Sequence, residues 1–152
     1  MSGIPEINSG QLNNAVAKLP LLAAIIALAG LTDAIYLTIH HYTAVPVPCG
    51  EAFDCGAVLT SSYSEIAGIP LAIFGAAAYF TAFSLAILAA FGNWRAWTLF
   101  GVQIVLMFLF TAWLVYLQAF VIEAFCQFCL LSAGTTFLLF VIYLVSKLPR
   151  LR

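Results

Sequence analysis

The stretch QAFVIEAFCQFCLLSAGTTFLLFVIYLV, residues 118–145, contains a polar step, then a cysteine pair, then a long apolar run. Gln118 and Glu123 form the step, Cys126-Gln127-Phe128-Cys129 the C-x-x-C pair, and Leu130 begins the run. Side chains at i and i+3 share one face of a helix, so the two thiols are close enough to form a disulfide or to hold a metal together. A helix start also favours thiolate, because its unpaired N–H groups and the macrodipole stabilise negative charge, and thiolate is the nucleophile of disulfide exchange. The pair therefore reads first as redox chemistry at the opening of a helix long enough to cross a bilayer.

Composition extends the membrane reading to the whole chain. Its 152 residues, enough for one domain, are 64% hydrophobic and 7% charged, with a mean hydropathy of +1.10. A soluble domain of this size does not tolerate such values. Five basic residues and a net charge of −1 leave no basic patch for nucleic acid. Residues 1–18 carry Glu6, Asn8, Ser9, Asn13 and Asn14 and lack the basic-then-apolar order of a cleaved signal, so they are expected to form a short soluble tail. Apolar windows of the roughly 20 residues that a span requires fall at 19–39, 69–91, 97–122 and 126–145. Backbone groups in lipid must be satisfied within their own segment, so each window is expected to be a helix. The third exceeds the hydrocarbon thickness and should tilt or project. The expected architecture is an all-α bundle of transmembrane helices filling 19–148, with a short tail at 149–152.

Charge orients the bundle. Lys18 precedes the first window, Arg95 lies between the second and third, and Lys147, Arg150 and Arg152 close the fourth. The other two loops contain no Lys or Arg, an asymmetry that predicts cytoplasmic termini and a cytoplasmic turn at 92–96. Both cysteine pairs then fall on the extracytoplasmic side, which is the oxidising one.

The first outer loop opens with His40, His41 and Tyr42, stiffens at Pro46-Val47-Pro48, and carries Cys49 and Cys55, each followed by a glycine. Mild amphipathicity over 58–67 predicts a short interfacial helix. Gly68-Ile69-Pro70 should turn the chain back, with Pro70 in the first turn of the second spanning helix.

Four outer cysteines allow three pairings, and the residues alone do not choose among them. Two structural disulfides are one reading, but a bridge between i and i+3 constrains almost no chain entropy. A zinc site is another, and the Cys49-x5-Cys55 spacing suits zinc poorly, so no metal is expected. Asp33 lies inside the first window, where charge is costly unless paired or facing water. Asp33, Tyr36 or Leu37, and His40 share a helical face, which suggests a proton path from Asp33 to His40; a buried Asp hydrogen-bonded to a neighbouring helix is the alternative. His40 and His41 read as interfacial residues rather than ligands.

Taken together, Cys49-x5-Cys55, Ser61 six residues on, Gly68-Ile69-Pro70 and Cys126-x-x-Cys129 opening the last helix resemble the vitamin K epoxide reductase family, most closely its prokaryotic disulfide-forming members. The resemblance covers about residues 19–148. It implies a thiol oxidoreductase that passes electrons from a reduced thioredoxin-fold partner to a quinone (ubiquinone, menaquinone or phylloquinone) and so drives disulfide formation. On that resemblance Cys49 and Cys55 are the shuttle pair, Cys126 and Cys129 the pair beside the quinone, and Ser61 a hydroxyl near them. The implied order is partner attack at Cys49, attack of Cys55 on Cys126, and release of Cys129 toward the quinone.

The chain departs from the family pattern at two positions. Vertebrate members carry an Asn and a Tyr in the head-group pocket where Leu71 and Ala133 stand here. The change speaks against vitamin K epoxide as substrate and leaves plain quinone reduction in place. Many prokaryotic relatives continue into a thioredoxin-like domain, whereas this chain ends at Arg152, so the partner is expected to be a separate protein. Two rival readings are a DsbB-type quinone-linked oxidase, whose C-x-x-C lies early rather than late, and a non-enzymatic scaffold with structural disulfides, which leaves the Cys126/Cys129 spacing unexplained.

Overall fold

The computed structural model describes residues 9–148, with side chains from residue 17 onward. Helix α1 spans Ser9–Thr43, α2 Cys55–Leu59, α3 Leu71–Ala90, α4 Trp94–Phe120 and α5 Gln127–Lys147; a two-stranded hairpin, β1 Glu65–Ile66 and β2 Ile69–Pro70, precedes α3. Four of these helices, α1, α3, α4 and α5, are long and apolar enough to cross a membrane. Each packs on two of the others, α1 on α3 and α5, and α4 on α3 and α5, which closes a four-helix bundle. The cysteine loop after α1 and the turn before α5 lie together at one end of it.

Small side chains let the helices approach. Ala23, Ala24 and Ala27 of α1 and Ala82 and Ala86 of α3 are buried together, the close backbone approach that drives association where lipid offers no hydrophobic gain. Gly30 receives the ring of Tyr79, and Gly101 that of Tyr143. Outward-facing Phe80, Leu99 and Leu109 are exposed, as a lipid-facing surface requires. At the end away from the cysteines, Trp97 Nε1 donates to Ser146 Oγ (3.0 Å) and stacks on Phe100, and Lys147 lies over the Trp94 and Tyr143 rings.

Several expected boundaries move, each for a local reason. Helix α1 already runs from Ser9, inside the stretch expected to be a tail. Helix α4 begins at Trp94 rather than 97, because the Asn93 side chain accepts from Ala96 N (3.2 Å) and caps it there. The interfacial helix expected over 58–67 is replaced by the short α2 and the hairpin. Thr60, Ser61 and Ser64 turn their hydroxyls onto the carbonyls of Gly56, Val58 and Ser61, a local bonding that competes with helix continuation. Ala67 and Gly68 then take φ of 54° and 78°, the left-handed pair of a tight hairpin turn. Pro70 ends β2 and is the cap of α3, one residue ahead of the first turn expected for it.

Candidate active site

Cys49 and Cys55 form a disulfide, with Cα atoms 6.2 Å apart. Asp54 caps α2 by accepting from Ala57 N (2.9 Å), which fixes Cys55 as the first helical residue and buries it to 1% exposure. Two hydrogen bonds tie this loop to the chain entering α5: Asp54 N donates to Phe125 O (3.0 Å), and Gly50 N donates to Gln127 Oε1 (3.3 Å). Gln127, inside the C-x-x-C, thus acts as a clamp on the loop that carries the other pair.

Cys126 is the N-cap of α5 rather than its first residue, and its sulfur accepts from Cys129 N (3.4 Å). It is fully buried, and its own N–H donates to Gln118 Oε1 (2.9 Å), so the sequence's polar step serves to satisfy the approach to the thiol. Cys126, Cys55 and Val58 form one buried cluster, with Cys49, Phe128 and Cys129 packed around it. Cys126 and Cys129 are free thiols. The Cys129 thiol hydrogen bond pulls Cys126 down to about 7; burial opposes this, and backbone N–H groups of the first turn reinforce it. The outer sulfurs are thus placed for a disulfide and the inner pair is unbonded, with Cys126 as the sulfur best able to carry charge.

Below the cluster lies a cavity of about 1190 Å³. Cys129, Ser61, Leu71, Gln118, Asp33 and Tyr79 all line it. Ser61 reaches its wall, but its hydroxyl donates to Val58 O (2.7 Å) rather than to a thiol. Ala133 is off the wall; Ser132 and Thr136 occupy that part of α5 instead. Both hold the Tyr79 hydroxyl, at 2.9 Å and 2.8 Å, and Ser132 O accepts from it at 2.8 Å. His40 Nδ1 bonds Val45 O (3.0 Å) and its ring meets Tyr36 at 4.3 Å; Tyr36 in turn meets Phe128 at 5.1 Å. His41, near the end of α1, pairs with Glu65 of the hairpin (3.4 Å).

Gln127, Tyr79, Ser132 and Thr136 are the site residues that the sequence reading missed. The sequence shows Gln118 only as part of a polar step. A lone amide or hydroxyl in a spanning helix faces the bundle interior by default, and that signal was available for Gln118, Ser132 and Thr136. Tyr79 carries the same signal within α3, and nothing in the sequence marked Gln127.

The cavity fits a quinone by size and chemistry, being mostly apolar with a few converging polar groups and a thiol in its wall. The model of the vitamin K epoxide reductase family matches residues 21–144. The chain belongs to that family of membrane oxidoreductases, whose members use quinones as electron partners.

Proposed function

We propose that this member of the vitamin K epoxide reductase family moves electrons from a reduced thioredoxin-fold protein, through Cys49/Cys55 and then Cys126/Cys129, to a quinone in the cavity. The observation that carries this reading is the burial of Cys55 and Cys126 in one cluster while Cys129 opens onto the cavity. Partner attack on Cys49 leaves a mixed disulfide and frees Cys55; resolution by the partner's second thiol leaves both outer cysteines reduced. Cys55 thiolate then attacks Cys126 of an oxidised inner pair and expels Cys129. Cys49 attacks Cys55 in turn, restoring the outer disulfide and releasing Cys126. A thiol held near 7 is a good leaving group, so the low value at Cys126 speeds that last exchange. A bound quinone would take up two electrons and two protons, and Cys129, with Leu71 and Ser61 on the surrounding wall, would face it.

Purified protein in detergent should oxidise a reduced thioredoxin-fold protein only when a quinone is supplied, with one quinol formed per disulfide. Oxidation that proceeds at the same rate without quinone would reject the reading.

The basic asymmetry of the loops supports cytoplasmic termini and extracytoplasmic cysteines. After reduction of intact cells, a membrane-impermeant maleimide should label Cys49 from outside. Labelling that requires opening the cytoplasmic face would invert the scheme.

A further inference from the structure

Asp33 is 8% exposed, and both of its carboxyl oxygens are buried with no hydrogen-bond partner among the described residues. It lies in a membrane-spanning helix, where an unsatisfied carboxylate is costly and where ionisable side chains face functional cavities. The turns on either side fix its place. Tyr36, one turn toward the cysteines, meets Phe128 at 5.1 Å, and Gly30, one turn away from them, lies against the Tyr79 ring.

Rise per residue converts these contacts into depth. Asp33 lies about 4.5 Å deeper than Tyr36, while on the antiparallel α5 Cys129 lies about 1.5 Å, and Ser132 about 6 Å, deeper than Phe128. The Asp33 carboxyl is thus at a depth between the Cys129 thiol and the Ser132 hydroxyl, and all three residues line one cavity. Tyr79, the other acidic hydroxyl at this level, is already engaged with Ser132 and Thr136. Among the buried side chains described, Asp33 is the wall group whose hydrogen-bonding capacity is unspent.

We propose that Asp33 is the acid–base residue of quinone reduction, passing a proton to the quinone oxygen on its side of the cavity; this deepens the functional reading above and rests on it. Closing the Cys126–Cys129 disulfide from its fully protonated dithiol releases two electrons and two thiol protons, the sum required to make quinol. Asp33 donates its proton to the oxygen and takes back one of the two thiol protons, so the carboxyl finishes as it began. The second thiol proton completes the other hydroxyl.

The test separates the half-reactions. Reduced protein is mixed rapidly with a short-chain benzoquinone and quinol formation followed by ultraviolet absorbance; reduction of the Cys49–Cys55 disulfide by dithiothreitol is timed separately. Asp33→Asn should slow quinol formation about a hundredfold, the usual worth of a positioned acid or base, and leave the dithiothreitol step unchanged. Asp33→Glu should recover most of the loss. Infrared difference spectra on adding the benzoquinone should show a shifted carboxyl carbonyl band in wild type and Asp33→Glu that is missing from Asp33→Asn. Wild-type quinol formation in Asp33→Asn overturns the proposal, as does a loss in both half-reactions that Asp33→Glu leaves unrepaired. A wild-type protein that forms no quinol at all overturns the functional reading instead.

Discussion

Changing Cys129 to Ser should lower quinone-dependent turnover by roughly a thousandfold or more, since it removes one of the two sulfurs that must end in a disulfide. The same variant should trap a bond between Cys55 and Cys126. Those two residues share a buried cluster, so little motion is needed for their sulfurs to meet. The first-turn N–H groups that help lower the Cys126 thiol remain in the variant, although the larger contribution of the Cys129 thiol is lost. Serine at 129 retains the backbone N–H that supports the Cys126 sulfur but cannot displace Cys55 from it. Cys49 can still reverse the bond, so the decisive form is the Cys49→Ser/Cys129→Ser double variant, in which mild oxidation should join 55 to 126 nearly completely. Peptide mapping under non-reducing conditions identifies the pair. The Cys55→Ser/Cys129→Ser protein, which keeps Cys49 and Cys126, should crosslink far more slowly. Equal rates in the two double variants would remove Cys55 from its proposed role as the relay.

The spans and the cysteine pattern were legible because they rest on composition and spacing, which survive any detail of packing. A window without charge over some 20 residues has few alternatives in a membrane protein. Boundaries were less legible because single side chains set them: Asn93 starts α4 early, and Cys126 stands just outside α5. Over 58–67 the weak amphipathic spacing points to a helix, but the Thr/Ser hydroxyls and the Ala67-Gly68 turn override it. The pairing of Cys49 with Cys55 came from resemblance, and spacing did not supply it. Around α5, a helical wheel puts Ser132 about 60° to one side of Cys129 and Ala133 about 40° to the other, with Thr136 about 20° from it on the Ser132 side. Only the packing of α3, with Tyr79 bonded to Ser132 and Thr136, decides which side faces the cavity. That is tertiary information, and the wheel alone favours Ala133.

The midpoint potential of the Cys126/Cys129 pair should fall by about 59 mV per pH unit below pH 7 and by about 30 mV per unit above it, the slopes of a two-electron couple that binds two protons and one proton respectively. The break marks the pH at which reduced Cys126 gives up its proton, and the local bonding puts it at about 7 instead of the ordinary 9.0. The sign follows from which form is stabilised. A depressed thiol pKa favours the reduced protein once pH exceeds the depressed value, and the advantage grows until pH reaches the ordinary value; it is lost as pH falls through 7. At full extent a shift of two units favours reduction by about a hundredfold, or about 60 mV. In the proposed relay the inner disulfide would thereby accept electrons from the outer pair more strongly than an unperturbed pair, favouring flow toward the cavity. Burial of Cys126 opposes the shift, so the hydrogen bond from Cys129 must outweigh it. Redox titration of a Cys49→Ala/Cys55→Ala protein against thiol–disulfide buffers, from pH 5.5 to about 8.5 with acid quenching and alkylation, isolates the inner pair. A single slope of about 59 mV per unit across that range would mean that Cys126 stays protonated, and that neither its leaving ability nor the inward pull arises from the α5 cap.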